Sequence, residues 1–168
     1  MASSEEQAYA QHQVRMEEDM NAAQTSRNVP RSIGAVIAGI IVGVALSIVT
    51  DVLLRMAGIF PALGVRMADS LLLLATVYRT AYSMLAAYVT ARLAPSRPMF
   101  HAFVGAFIGV IVGTIGAIVT WNAGPQYGPH WYPIALIVLA LPSAWAGGRI
   151  REAQIAKTKT QSLGASAT

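Results

Sequence analysis

Four charged residues stand in or beside stretches of the chain that are otherwise apolar: Asp51, Arg55, Asp69 and Arg79. An ionisable side chain at the centre of a membrane helix costs about 2.5–3.5 kcal/mol on insertion scales, so such groups face a bundle interior, a cavity or the headgroups, and pair with one another. Asp51 and Arg55 are four residues apart, share a helix face, and are expected to pair near the end of their helix. Arg79 lies roughly 15 Å along a helix from Asp69, which places it close to the bilayer midplane. Asp51 on the preceding helix is its expected partner, and Tyr82 sits three residues from Arg79 on the same face.

Asp51, Arg55, Arg79 and Tyr82 therefore make up the candidate polar cluster. Two kinds of chemistry fit it. One is coupling or permeation of an ion; the other is a structural ion pair that locks two helices together, and the structural role is favoured. A transporter is expected to break its helices around a central site, whereas the clear interruption, Pro142, falls in another span.

Other chemistry finds little support. The chain has no cysteine, which excludes disulfides, thiolate metal sites and cysteine nucleophiles within it. His101 and His130 are expected on opposite sides of the membrane and His12 in the N-terminal tail, so no paired-histidine haem site is expected; each reads as an interfacial or turn residue. No phosphate-binding glycine loop, paired-histidine metal helix or serine elbow occurs, and the glycines sit inside apolar stretches. The expectation is a non-enzyme with no catalytic residue, no cofactor and no metal. The pI near 9.8 and net charge of +4 do not point to nucleic acid, because no basic run is interleaved with exposed aromatics.

The elements that must position the cluster are membrane spans. Of 168 residues, 55% are hydrophobic and only 12% charged, with a mean hydropathy of +0.51, more apolar surface than a soluble core of this size could hide. About 20 helical residues cross the hydrocarbon, and four stretches qualify, at about 32–54, 69–92, 99–121 and 131–149. Residues 1–31 read as a polar N-terminal tail, either a surface helix behind a Ser3/Ser4 cap or a disordered segment. Residues 151–168 read as a disordered C-terminal tail. The acid-rich start, with Glu5, Glu6, Glu17, Glu18 and Asp19, argues against a signal or transit peptide and for a bacterial cytoplasmic membrane.

Lys and Arg set the orientation. With four spans, both tails and the second loop share one side, which holds Arg15, Arg27, Arg31, Arg92, Arg97, Arg149, Arg151, Lys157 and Lys159; the other holds Arg55 and Arg66. Both termini are therefore expected in the cytoplasm. Trp121, Tyr127, Trp131 and Tyr132 bracket the third loop as an aromatic belt would. The segment 56–67 is apolar enough either to lie in the interface or to lengthen the first helix.

In lipid, helices associate through close backbone approach at small residues. The first span carries Gly39 and Gly43, flanked by Ala35 and Ser47, and the third carries Gly105, Gly109 and Gly113, a glycine-zipper pattern in each case. These are the expected packing faces, within one chain or between chains. At an offset of 70 residues Gly39, Ile41, Val42, Gly43, Ile48, Val49 and Thr50 match Gly109, Ile111, Val112, Gly113, Ile118, Val119 and Thr120, which suggests a duplicated helical hairpin. Pro142 is expected to kink the fourth span.

The stretch from Ala86 to Ala102, with Tyr88, Arg92, Pro95, Arg97, Pro98 and His101, together with Trp131-Tyr132-Pro133-Ile134-Ala135 and Ala144-Trp145-Ala146-Gly147-Gly148-Arg149, resembles small uncharacterised four-helix bacterial inner-membrane proteins. The resemblance covers roughly residues 33–151 and implies a four-helix architecture without implying an activity. The expected fold is all-α, an integral membrane four-helix bundle. The expected partners are the lipid bilayer and other membrane helices, in a homo-oligomer or a larger complex. The expected role is an accessory, assembly or interaction subunit, the alternative being a small oligomeric transporter or channel that uses Asp51 and Arg79.

Overall fold

A computed structural model describes residues 4–165. All regular structure among them is helical: α1 (Ser4–Met56), α2 (Asp69–Leu93), α3 (Pro98–Thr120) and α4 (Trp131–Ala165), with a single 3-10 turn at Pro125–Tyr127. Each of the four contains a stretch long and apolar enough to cross a membrane, namely Asn28–Met56, Asp69–Leu93, Pro98–Thr120 and Trp131–Ser162. Few side chains in these spans are buried by the protein itself, and large apolar residues such as Ile41, Leu73, Val119 and Val138 point outward. That is the pattern of a multi-pass membrane protein, whose outer surface meets hydrocarbon instead of water.

The N-terminal tail is helical, one of its two expected states, and the C-terminal tail departs from expectation. α1 starts at Ser4 and is continuous with the first span, through Pro30, for 53 residues or about 80 Å. The Ser3 half of the anticipated cap lies outside the described residues. At the other end, the segment 151–165, anticipated as disordered, continues α4, while 166–168 lie outside the described residues. Both extensions grow from a helix already formed in a span, so they avoid the unfavourable nucleation step, and residues such as Arg151, Glu152, Ala153, Gln154 and Lys157 have high helix propensity. Arg149 pairs with Glu152 at 3.3 Å, and Gln154 accepts a hydrogen bond from the Tyr88 hydroxyl at 3.1 Å, tying the extension to α2.

Connections are short and explicable. α1 ends in a glycine cap: Gly58 takes φ +72°, with its N–H on the Arg55 carbonyl at 3.0 Å and that of Ile59 on the Leu54 carbonyl at 2.9 Å. The segment 56–67 therefore does not lengthen α1, which ends at Met56. It folds over the end of the bundle and buries Phe60. Arg97, in the left-handed region at φ +45°, turns the chain into Pro98 at the first position of α3.

α2 and α4 share the most extensive contact, α1 packs on α2, α3 packs on α4, and α1 and α3 barely touch. The inner pair runs parallel: Gly128 lies by Leu72 near one end, and Gly147 lies by Met84 and Tyr88 further along both helices. The outer helices run antiparallel to their partners. The core is small and made of small residues, Ala87 and Ala91 of α2, Ala102 of α3 and Ala144 of α4, because close helix approach replaces large apolar side chains as the source of packing in lipid. Exchanging the two hairpins nearly preserves this pattern, except that α2 also touches α3 while α1 has no comparable contact with α4.

α4 passes through Pro142 without a break. The ring removes the donor to the Val138 carbonyl, and the Ser143 hydroxyl turns back on the neighbouring Leu139 carbonyl at 2.7 Å.

Candidate functional site

α1 and α2 cross so that Asp51 faces Arg79. The Arg79 Nη2 donates to Asp51 Oδ2 at 2.5 Å, and the Tyr78 hydroxyl donates to Asp51 Oδ1. Both carboxylate oxygens are therefore engaged by α2. The pair is partly shielded, with side-chain exposures of 33% for Arg79 and 18% for Asp51. It lies towards the end of the bundle away from the termini: Asp51 is about 8 Å from the end of α1, and Tyr132, which lines the same cavity as Arg79, is the second residue of α4. Arg79 is the eleventh of the 25 residues of α2, and the first turns of that helix reach out beside Gly128, ahead of the start of α4.

The other two members of the anticipated cluster go elsewhere. Tyr82 meets Thr50 Oγ1 at 2.9 Å and does not join the ion pair; its ring lies 5.7 Å from that of Tyr78, one turn away. Among the described residues Arg55 forms no ion pair, and the expected pairing with Asp51 is displaced by the stronger claim of Arg79 and Tyr78 from the facing helix. The Arg55 Nε is buried without a hydrogen-bond partner. Tyr78 is the residue that sequence reasoning missed; its position next to Arg79 and four before Tyr82 was the available signal.

Arg55 and Asp51 line a cavity of about 370 Å³ at this end of the bundle. Its other walls are the folded-over loop at Phe60–Val65, Tyr78 and Arg79 of α2, the third loop at Gln126–Gly128, and Tyr132. Further in, a larger and more open groove of about 660 Å³ runs between α1 and α3, floored by α2 and α4. Arg79, Tyr127 and Tyr132 border both spaces.

The glycines divide between these surroundings. A methyl group added at Gly39 would collide with Thr90 Oγ1 and stand 2.6 Å from the Ala86 carbonyl oxygen, and one at Gly43 would stand 3.1 Å from the Ala86 methyl. These glycines mark the crossing of α1 on α2. Gly105 has only distant neighbours, at 3.9 Å; Gly113 meets Ile137 at 3.4 Å; Gly109 and Gly116 meet nothing within 4 Å. The two glycine stripes do not pack against each other. Gly109, Gly113 and Gly116 of α3 line the groove. A tight pair the stripes did not include is Gly147 against α2, where an added methyl would stand 2.8 Å from the Tyr88 nitrogen.

Both histidines of the bundle are engaged locally. His101 is buried with Nδ1 3.2 Å from the Arg97 carbonyl. The His130 ring stacks on Trp121 at 4.0 Å, with Nε2 2.8 Å from the Trp121 carbonyl, which clasps the ends of the third loop. Among the described residues no group of three or more His, Cys, Asp or Glu side chains is placed to hold a metal ion. Comparison with known proteins finds no family model, no curated protein and no solved structure that matches this chain.

Proposed function

We propose that this chain is a non-enzymatic interaction subunit of a bacterial cytoplasmic membrane, with both termini in the cytoplasm, and that it seats a transmembrane helix of a different protein in the groove between α1 and α3. The observation that carries the reading is the open glycine face of α3, where Gly109 and Gly116 leave space that none of the described residues uses. Small residues on a membrane helix allow another backbone to come close, and that approach is what drives association in lipid. The walls of the groove, Ile40, Val44 and Ile48 on one side and Ile108 and Val112 on the other, are apolar and suit a helix in hydrocarbon. A twofold pairing of this chain with itself would require one patch to meet its own copy; a concave groove accepts a convex helix and does not complement a second groove. The excess of Lys and Arg on the side of both tails supports the orientation.

Because the chain has no cysteine, single replacements give clean cross-linking positions. In native membranes, Gly109→Cys and Gly116→Cys should both join the same second protein, while Ile111→Cys, outside the groove, should not. A product of twice the chain's own mass, or equal labelling at all three positions, would contradict the reading.

A second reading, a small oligomeric transporter or channel, draws support from Arg79 bordering both the outer cavity and the groove. It requires that Asp51→Asn or Arg79→Gln abolish transport of a solute while protein abundance is unchanged.

A further inference from the structure

We infer that the cavity at the end of the bundle away from the termini is a binding site for an oxyanion group, a phosphate or carboxylate, with Arg55 as its principal ligand. The charged residues lining the cavity are Asp51, Arg55 and Arg79, and Asp51 is committed, one oxygen to Arg79 and the other to Tyr78. That leaves Arg55 as an uncompensated cation, because neither ion pair among the described residues includes it.

Its donors are also unspent. The Nε of Arg55 is buried without a hydrogen-bond partner, and the Nε of Arg79, in the same cavity, is buried and unpartnered too. A buried donor left unsatisfied costs about 1–3 kcal/mol, and an uncompensated guanidinium is the group best shaped to take two oxygens of one anion in a forked contact. At about 370 Å³ the cavity falls in the range that holds small ligands.

Its rim is mixed in character. Gln126 and Tyr127 supply polar atoms from the third loop, while Phe60, Leu63 and Val65 supply apolar surface from the first. A phospholipid headgroup and a free phosphate share the chemistry that this site recognises; the site adjoins the groove at Arg79, Tyr127 and Tyr132, but its principal ligand, Arg55, lies outside the groove.

The test is native mass spectrometry of the detergent-purified chain, titrated separately with phosphatidylglycerol, phosphatidylcholine and inorganic phosphate. The inference expects phosphatidylglycerol to be retained over phosphatidylcholine, or inorganic phosphate to bind. Either preference should fall about tenfold or more in Arg55→Gln, recover partly in Arg55→Lys, and persist in Arg66→Gln, which alters an exposed arginine of the first loop outside the cavity. Retention of the lipid without binding of free phosphate identifies a headgroup as the source; binding or competition by phosphate identifies a soluble anion. If neither probe binds wild-type protein preferentially, or if Arg55→Gln and Arg66→Gln behave alike, the inference is overturned. Should Arg55→Gln fail to fold, the wild-type titration and Arg55→Lys still decide it.

Discussion

Asp51 of α1 holds Arg79 of α2 with one carboxylate oxygen, at 2.5 Å, and keeps the other for the adjacent Tyr78. One short acidic side chain thereby joins two consecutive residues of the facing helix and fixes the register of the first hairpin. Removing one partner leaves the other charged and partly shielded without compensation, whereas removing both leaves no stranded charge. A double-mutant cycle over Asp51→Asn and Arg79→Gln, measured by unfolding in detergent, should return a coupling of about 1–3 kcal/mol. A coupling near zero would mean the two side chains do not support each other.

The glycines of α1 and α3 should respond oppositely to the same added methyl group. Gly39→Ala forces carbon against Thr90 and the Ala86 carbonyl, and overpacking of this kind costs about 1–3 kcal/mol. Gly109→Ala meets open space and gains up to about 1 kcal/mol of helix propensity. Thermal unfolding of the two purified variants checks this, and equal destabilisation would contradict the placement of the two stripes.

Gly147→Ala should behave like Gly39→Ala, since its methyl would press on the backbone of α2 at Met84 and Tyr88, where only small movements are open to the chain. The expected outcome is a loss of about 1–3 kcal/mol, read in the same unfolding measurement.

The orientation can be read chemically. In intact cells a membrane-impermeant thiol reagent should label Ala123→Cys in the third loop and leave Ala156→Cys in the α4 extension unlabelled until the membrane is opened. Both positions are exposed on the protein. The reverse pattern would invert the topology.

Much of the fold was legible because the governing signals are local. A run of apolar residues of spanning length, closed by Pro95 to Pro98 or opened by Trp131, marks a helix whatever its neighbours do. The tails were not legible in the same way, because the composition of 151–165 says little about a segment that extends an existing helix and is held by Tyr88. The polar cluster was legible in part: the high cost of charge in hydrocarbon brings Asp51 and Arg79 together, but choosing between Tyr78 and Tyr82, or between Arg55 and Arg79, depends on the rotation of α2 about its axis. The groove was not legible at all. Four-residue glycine spacing says that a backbone can come close; whether the approach is used, as at Gly39, or left open, as at Gly109, is decided by how four helices sit side by side.

The proposed role puts a helix from another protein on the open face of α3. Its most direct test is purification of the tagged chain from its native membrane in mild detergent, as wild type, Gly109→Leu and Ile111→Leu, with the intact particle weighed and its components identified. The expected result is a stoichiometric complex with a second membrane protein for wild type and Ile111→Leu, and a folded chain stripped of that protein for Gly109→Leu. A particle made only of this chain, or a partner retained equally by all three, would contradict it.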